Sequence, residues 1–316
     1  MELYNASISG QPNGVTGTHY GTLMAAIHRM ETIFSQRETR LYNDGKFYTY
    51  GHQKAMNRVA SADTLRRVET PEEHLRSFAN FMNGATFYKT TLEFNKILPL
   101  KDCWDDDPVG SGGTKILEAA SLGEKDREQA TAIFHPFSGI IYPEDIENHL
   151  KLYDIRRMEK AVRNNPEFND KLIKRRRMMG EEVYALDKNP EIVWQYMTMK
   201  FYQWAIQKGY DAFSYQNKEE GNGETSFIGL NKNSIQSVQA YAFDGEAFYN
   251  EVLPIYSKAV QAQFSHVAND QSGFSSAVLA EDIWEDLDIE KFMIPKPLAV
   301  DHTKRIFSSL DSLQEK

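Results

Sequence analysis

The spacing of hydrophobic positions changes along the chain, and the changes predict a mixed fold. Short apolar and aromatic runs of strand length occur at 210–215 and 226–230, with a polar, glycine-rich connection between them. In residues 144–208 the apolar positions have the spacing of mostly helical segments, and in residues 246–264 they recur with a helical period. We therefore expect an α+β protein with several short strands and a helical middle.

The polar connection between the two strand-like runs is the first candidate for chemistry. It carries Glu219, Glu220 and Glu224 among Gly and Asn residues. Carboxylates in a loop between two buried strands can face a cleft, because the strands hold the loop in place and the loop remains accessible to a ligand. The alternative interpretation is a hydrophilic hairpin tip with three solvated glutamates.

Composition limits the classes of protein that the chain can belong to. Its 316 residues are 41% hydrophobic and 26% charged, with a formal net charge of −9, as expected for a soluble protein with one large domain or two modest ones. No stretch approaches the roughly 18 apolar residues of a membrane helix. The first ten residues lack a basic start and an apolar block, so we expect no membrane contact and a cytoplasmic location.

The chain has one cysteine, Cys103, which rules out an internal disulfide and suits a reducing compartment. Aspartates at 102, 105, 106 and 107 surround it. Negative charge nearby disfavours the thiolate, so a nucleophilic role for this cysteine is not expected.

Four segments, in this order along the chain, resemble one enzyme family. They are His-Tyr-Gly-Thr at 19–22 with the helix-like 23–30, Gly-Lys-Phe-Tyr-Thr-Tyr at 45–50 with the helix-like 54–60, the strand and turn at 85–102, and Gly-Tyr-Asp-x-x-x-Tyr-x-Asn-x-x-Glu beginning at 209. The last continues into Ser-Phe-Ile and Asn-x-Asn-x-Ile-x-Ser-Val. Together the segments resemble ADP-ribosyltransferase domains of phage and polymorphic-toxin proteins, in the His-Tyr-Glu class that includes diphtheria-type toxins.

The resemblance implies an ADP-ribosyltransferase fold, in which two small twisted β-sheets form a cleft for NAD+. It implies Glu220 as the catalytic glutamate, three residues after Asn217, with Glu224 as the rival and Glu219 as the least favoured. Breaking the bond between nicotinamide and ribose builds positive charge on the sugar, which a fixed carboxylate stabilises. No metal is expected.

The cofactor-binding residues are also implied by the resemblance. His19 would bond the adenosine ribose, the Gly21 backbone would meet the nicotinamide amide, Thr22 would support the turn, and Tyr48 would stack on the nicotinamide. The alternatives are a strand-end histidine with a backbone partner and an ordinary strand aromatic. Tyr50 lies on the same strand face as Tyr48 by alternation.

We expect a transferase domain over 1–240 that contains the helical insertion 144–208, followed by a helical extension over 241–316. Part of the insertion, 151–179, holds ten basic and four acidic residues. This segregated charge can hold phosphates of NAD+ or of a nucleic acid, or it can belong to a solvated helix.

The expected function is mono-ADP-ribosylation of a macromolecule in a toxin, phage-defence or phage-effector setting, with a slight preference for RNA or DNA over protein. The extension could bind an antitoxin, a chaperone or a partner domain. Three other functions remain open: an NAD+ glycohydrolase on the same fold, a non-catalytic phage-associated interaction protein, and a nucleic-acid-binding module in the basic middle.

Overall fold

The computed structural model describes residues 1–8, 18–36, 38–43, 45–51, 65–100, 122–134, 190–217, 223–265 and 281–298. These residues form a mixed α+β structure with small sheets, which confirms the expected class. The strands are β1 (Glu2–Ser7), β2 (Thr18–Tyr20), β3 (Glu38–Asn43), β4 (Lys46–Gly51), β5 (Leu65–Glu69), β6 (Thr86–Leu92), β7 (Ile97–Pro99), β8 (Ala212–Asn217), β9 (Glu224–Gly229), β10 (Ile235–Phe243) and β11 (Met293–Lys296). The helices are α1 (Leu23–Gln36), α2 (Pro71–Asn83), α3 (Glu124–Phe134), α4 (Pro190–Gln207), α5 (Gly245–Ser265) and α6 (Glu281–Asp286).

The described strands form three sheets. The first sheet has the order β1-β6-β10-β11 and is antiparallel throughout. The second sheet has the order β2-β9-β8-β7, with β7 parallel to β8 and the other pairs antiparallel. The third sheet is the antiparallel meander β3-β4-β5. The two strands predicted at 210–215 and 226–230 are therefore confirmed as β8 and β9, which pair with each other.

Among the described residues, α1, α2, α5 and α6 pack against the first sheet around an extensive apolar core, the main core. Its centre is aromatic: Phe78 contacts Phe248 and Trp284 at ring-centroid distances of 5.9 and 6.4 Å, and all three side chains are buried. A second, smaller cluster joins the first two sheets, with Tyr20 of β2 packed beside Leu3 and Leu92. This smaller cluster fixes β2 against the first sheet and so helps to position the strand that carries His19.

Helix α2 begins where its sequence signal places it. Thr70 accepts a hydrogen bond from the backbone N–H of Glu73, the Glu73 carboxylate accepts one from the backbone N–H of Thr70, and Pro71 occupies the first turn. These hydrogen bonds fix the start of the helix through its own side chains. The residue before the cap, Glu69, is buried.

The buried Glu69 carboxylate is surrounded by polar partners. It accepts a hydrogen bond from the Ser77 hydroxyl at 2.8 Å, lies 3.5 Å from His74 Nδ1, and pairs with Arg67 at 2.8 Å. Burial alone would raise the pKa of Glu69, but the hydrogen bonds from His74 and Ser77 and the charge of Arg67 outweigh it and lower the pKa to about 2. His74 in turn stacks on Phe47, with centroids 4.0 Å apart. The cluster ties α2 to the third sheet.

The described part of the predicted extension belongs to the first sheet and the main core. The predicted boundary at residue 240 falls inside β10, and β11 pairs with β10 from Ala240 to Phe243. Trp284 of α6 is buried and donates its indole N–H to the buried Glu31 carboxylate of α1 at 3.0 Å. The helical period at 246–264 is confirmed as α5, whereas residues 293–296 form a strand that the sequence did not predict.

Several predicted features lie outside the described residues: the helix at 54–60, Cys103, the basic stretch 151–179, Glu219 and Glu220. Of the insertion 144–208, the described part is the helical segment that begins at Pro190. No helix in the described ranges is both long and apolar enough to cross a membrane.

Candidate active site

His19 occupies the middle of the short strand β2, at the edge of the second sheet. It pairs with Ile228 of β9, and its backbone carbonyl oxygen accepts a hydrogen bond from Asn5 Nδ2 at 3.1 Å. Asn5 is a buried residue of β1 in the first sheet. The backbone of His19 is therefore held by both sheets.

The imidazole of His19 contacts a tyrosine that is distant in sequence. His19 Nδ1 and the Tyr215 hydroxyl oxygen are 2.8 Å apart, which is a hydrogen-bond distance, and the two rings meet edge to face with centroids 5.7 Å apart. His19 is half-buried and Tyr215 is buried. The phenol thus fixes the ring of the histidine in one orientation.

Gly21 lies at the point where β2 meets the first sheet and α1 follows. Its N–H donates to the Tyr4 carbonyl at 3.0 Å, and its own carbonyl accepts from the Tyr4 N–H at 2.7 Å. A Cβ at this position would lie 2.9 Å from the Ala25 Cβ and 3.0 Å from the Ser226 hydroxyl oxygen. Close approach of Ser226 and Ala25 therefore requires a glycine here. The Gly21 N–H is already used in its hydrogen bond to Tyr4. The Gly21 carbonyl oxygen has a second lone pair, so it is the backbone group of Gly21 that can accept a hydrogen bond from a ligand amide.

Thr22 supports the turn from β2 into α1. Its hydroxyl oxygen accepts a hydrogen bond from the backbone N–H of Ala25 at 3.2 Å, and its carbonyl oxygen accepts one from the N–H of Ala26 at 3.1 Å. A threonine hydroxyl that accepts from the third residue ahead is a usual helix N-cap. The resemblance gave Thr22 this supporting role.

His19 shares one face of the second sheet with several polar side chains. Tyr215 pairs with Ser226 across β8 and β9, and Asn217 Nδ2 donates to the Ser226 hydroxyl oxygen at 3.3 Å. Side chains alternate along a strand, so Ser226 lies on the same face as Ile228, the partner of His19. Ser226 and Asn217 are both buried. The face therefore combines an imidazole, a phenol, an amide and a hydroxyl.

Glu224 is the one candidate glutamate among the described residues. It is exposed, begins β9 and pairs with Asn217 at the end of the strand pair. By alternation Glu224 lies on the same face as Ser226, four residues along β9 from the partner of His19, which corresponds to roughly 13 Å along the strand. The loop into β9 closes with a hydrogen bond from Gly223 N–H to the Asn217 carbonyl at 2.7 Å, and Gly223 has a φ of +83°.

Tyr48 lies in another sheet. It is a half-buried residue of β4, where it pairs with Leu41 of β3 and Val68 of β5. Its neighbour Phe47 points to the opposite face and is buried in the main core. Within the described ranges we find no hydrogen bond or ring contact between Tyr48 and the second sheet. The structure thus places His19, Gly21, Thr22 and Glu224 in or directly beside the β2–β9 pair, whereas Tyr48 belongs to a different sheet.

The end of β8 opposite Glu224 is anchored by Asp211. Its buried carboxylate accepts hydrogen bonds from the backbone N–H groups of Asn95 and Lys96 at 2.8 and 3.1 Å, and from Asn231 Nδ2 at 3.0 Å. Burial would raise the pKa of Asp211, but these hydrogen bonds outweigh it and lower the pKa. The anchor holds β8 and β9 in register at the end where His19 pairs.

Sequence reasoning placed Tyr215 and Ser226 in the two strands and Asn217 in the connection between them, and it gave none of the three a role. The signal that marks them is a polar side chain on the buried face of a strand, at alternate positions in β8 and opposite them in β9. Within the described residues no group of three or more His, Cys, Asp or Glu is arranged to hold a metal ion. Comparisons with protein-family models, with curated proteins and with solved structures give no match.

Proposed function

We propose that the protein is an ADP-ribosyltransferase that uses NAD+ as the donor, and that NAD+ lies along the face of β2, β9 and β8. The observation that carries the proposal is the placement of His19 and Glu224 on one face of the second sheet, with His19 held by Tyr215 at 2.8 Å. These residues come from separate segments of the chain, and both segments belong to the motifs of the resemblance.

The spacing of the two residues supports a dinucleotide as ligand. NAD+ carries its two riboses at either end of a pyrophosphate, so a site that contacts both needs two contact points separated along a groove. His19 and Glu224 lie roughly 13 Å apart along β9. In the proposal His19 bonds the adenosine ribose, and the carboxylate at the far end bonds the nicotinamide ribose.

The proposed chemistry requires a carboxylate but no covalent intermediate. As the bond between nicotinamide and ribose breaks, the bonding electrons leave with the nicotinamide, which becomes neutral, and the ribose develops oxocarbenium character. A fixed glutamate stabilises this charge, and the acceptor atom then attacks the sugar. Glu220 is the proposed glutamate from the spacing after Asn217. Glu224 is the rival, supported by its place on the His19 face.

Two further contacts to the nicotinamide complete the proposed binding of NAD+. The Gly21 carbonyl oxygen would accept from the nicotinamide amide, because the Gly21 N–H already donates to Tyr4. Tyr48 is proposed to stack on the nicotinamide ring, which requires the third sheet to face the second one across the ligand. The proposed setting is cytoplasmic, and the acceptor is RNA or DNA in preference to protein because of the basic segment 151–179.

Label transfer from NAD+ tests both the reaction and the acceptor. The purified protein is incubated with NAD+ labelled in the adenylate and with cell lysate, and the products are treated separately with nuclease and with protease. The proposal predicts label on a macromolecule that nuclease removes. Label removed by protease would assign a protein acceptor, free labelled ADP-ribose alone would indicate a glycohydrolase, and unchanged NAD+ would contradict the proposal.

A further inference from the structure

We infer that the backbone of Thr225 binds the carboxamide of nicotinamide at the point where β2 separates from β9. The Thr225 N–H donates to the carboxamide oxygen, and the Thr225 carbonyl oxygen accepts from the amide nitrogen. The inference rests on the proposed function for the identity of the ligand. For the direction of the two backbone groups it rests on the strand register alone.

The direction of the Thr225 backbone follows from the pairing of β9 with β8. In an antiparallel pair, opposite residues alternate between those that exchange two hydrogen bonds and those that exchange none. The Leu230 N–H donates to the Asp211 carbonyl oxygen at 2.8 Å, and the register of β8 and β9 places these two residues opposite each other. Every second residue of β9 counted from Leu230 therefore bonds to β8, whereas the N–H and C=O of Thr225 point to the other side, towards β2.

Strand β2 ends before it reaches Thr225. Its pairing with β9 stops one residue before Gly21, which instead exchanges both of its backbone hydrogen bonds with Tyr4 of β1. The register would place Thr22 opposite Thr225, but the Thr22 carbonyl oxygen accepts from the Ala26 N–H in the first turn of α1. Thr225 is exposed, and within the described ranges its N–H and carbonyl oxygen have no hydrogen-bond partner. They are therefore accessible to a ligand.

A carboxamide is the chemical complement of these two groups. It carries an acceptor oxygen beside a donor N–H, whereas the edge of a strand offers a donor N–H beside an acceptor C=O. The Gly21 N–H already donates to Tyr4, so the carboxamide oxygen needs a donor from another residue. Glu224, the rival for the nicotinamide ribose, directly precedes Thr225. The amide nitrogen has two hydrogens, so the bond to Thr225 leaves one for the Gly21 carbonyl oxygen.

Amide proton exchange tests the backbone geometry without a ligand. The protein is labelled with ¹⁵N at threonine and phenylalanine, and the two signals are assigned by their loss in Thr225→Val and Phe227→Leu. Phe227 pairs with Tyr20, and its N–H points towards β2 like that of Thr225. The Thr225 N–H should exchange as an unprotected amide, and the Phe227 N–H on the order of 100-fold more slowly. Equal protection of the two amides would overturn the inference.

Nicotinamide alone tests the ligand. At saturating concentration it should move the Thr225 amide proton signal downfield and slow the exchange of this proton about 5- to 10-fold, as expected for one added hydrogen bond. Pyridine is the matched probe, because it keeps the ring nitrogen and lacks the carboxamide, and it should do neither. A Thr225 signal that responds to neither compound, or equally to both, would contradict the binding of a carboxamide.

The substitution Thr225→Pro removes the N–H itself. Because this N–H makes no bond within the sheet, proline is tolerated here and the β8–β9 hydrogen bonds remain. The KM for NAD+ should rise about 5- to 10-fold, with kcat within about 2-fold of the wild type. Thr225→Val is the matched control, because it loses the side-chain hydroxyl and keeps the N–H, and its KM should equal that of the wild type. Equal effects of valine and proline would assign the role to the side chain and refute the inference.

The failure of this inference can be distinguished from a failure of the proposed function. If the wild type cleaves NAD+ while bound NAD+ leaves the Thr225 amide signal unchanged, the inference is wrong and the proposed function stands. If nicotinamide slows the exchange of the Thr225 N–H while NAD+ is not cleaved, the reaction is wrong and the carboxamide site stands.

Discussion

Replacing Gly21 by alanine tests the close packing that joins β2, α1 and β9. The added Cβ would lie 2.9 Å from the Ala25 Cβ and 3.0 Å from the Ser226 hydroxyl oxygen, distances that require a shift. Overpacking of this kind costs about 1–3 kcal/mol. The backbone of Gly21 does not have a positive φ, so alanine can adopt it without strain. Alanine also has less conformational freedom than glycine in the unfolded chain, which offsets about 0.4–1 kcal/mol of the overpacking cost. The expected net loss of unfolding free energy is about 1–2 kcal/mol.

Urea unfolding followed by circular dichroism measures this loss. Gly84→Ala is the matched control, because Gly84 has an α-helical backbone with φ −81° and its Cβ would meet only the Phe81 carbonyl oxygen at 3.4 Å. The control should be as stable as the wild type or slightly more so. Ala25→Gly removes the closest contact, so the cost of Gly21→Ala should shrink in that background. An equal cost in both backgrounds, or none in either, would refute the reasoning.

Two further substitutions test the polar cluster at the start of α2 and the main core. Glu69→Gln should destabilise the protein by up to about 3 kcal/mol near neutral pH, because the lowered pKa of Glu69 favours the ionised carboxylate in the folded state. This contribution is present above the ordinary pKa of 4.5 and is lost as the pH falls towards about 2. The urea midpoints of Glu69→Gln and the wild type should therefore converge in acid. Glu93→Gln, at an exposed site, is the control and should match the wild type at every pH. Trp284→Ala should cost about 3–5 kcal/mol in thermal or urea unfolding. Ile294→Ala, at a side chain 49% exposed, should cost less than about 1 kcal/mol, and equal effects of the two would show that α6 lies outside the core.

The sequence predicted those strands and helices that are determined by residues close together in the chain. The aromatic runs before and after the polar loop became β8 and β9. The helical periods at 23–30 and 246–264 correspond to α1 and α5. In each case the residues that determine the element are close together in the sequence.

Contacts between distant segments could not be predicted in the same way. His19 and Tyr215 are 196 residues apart, and their contact depends on the pairing of β2 with β9 and of β9 with β8. The pairing of β8 with β9 is local and was expected, but nothing in the local sequence specifies the pairing of β2 with β9. The strand β11 was missed because its four residues include a proline, which is tolerated at a sheet edge but depleted in strands generally.

The position of Tyr48 could not be predicted either, because it depends on which sheet contains its strand. The sequence predicted its strand, β4, but strand alternation cannot reveal which sheet the strand joins. It joins β3 and β5, and its inward neighbour Phe47 packs against α2 through His74. The buried pairing of His74 with Glu69 was also invisible in sequence, since helix and strand meet there through a turn rather than along one element.

Release of nicotinamide from NAD+ by the purified protein tests the central claim most directly. The claim is that a glutamate at the end of the β8–β9 pair and His19 act together on NAD+. We predict release by the wild type, and a loss on the order of 100-fold or more in kcat for Glu220→Gln or Glu224→Gln, with Glu219→Gln as the control that retains activity. No release by the wild type, or release unchanged in both Glu220→Gln and Glu224→Gln, would contradict the account.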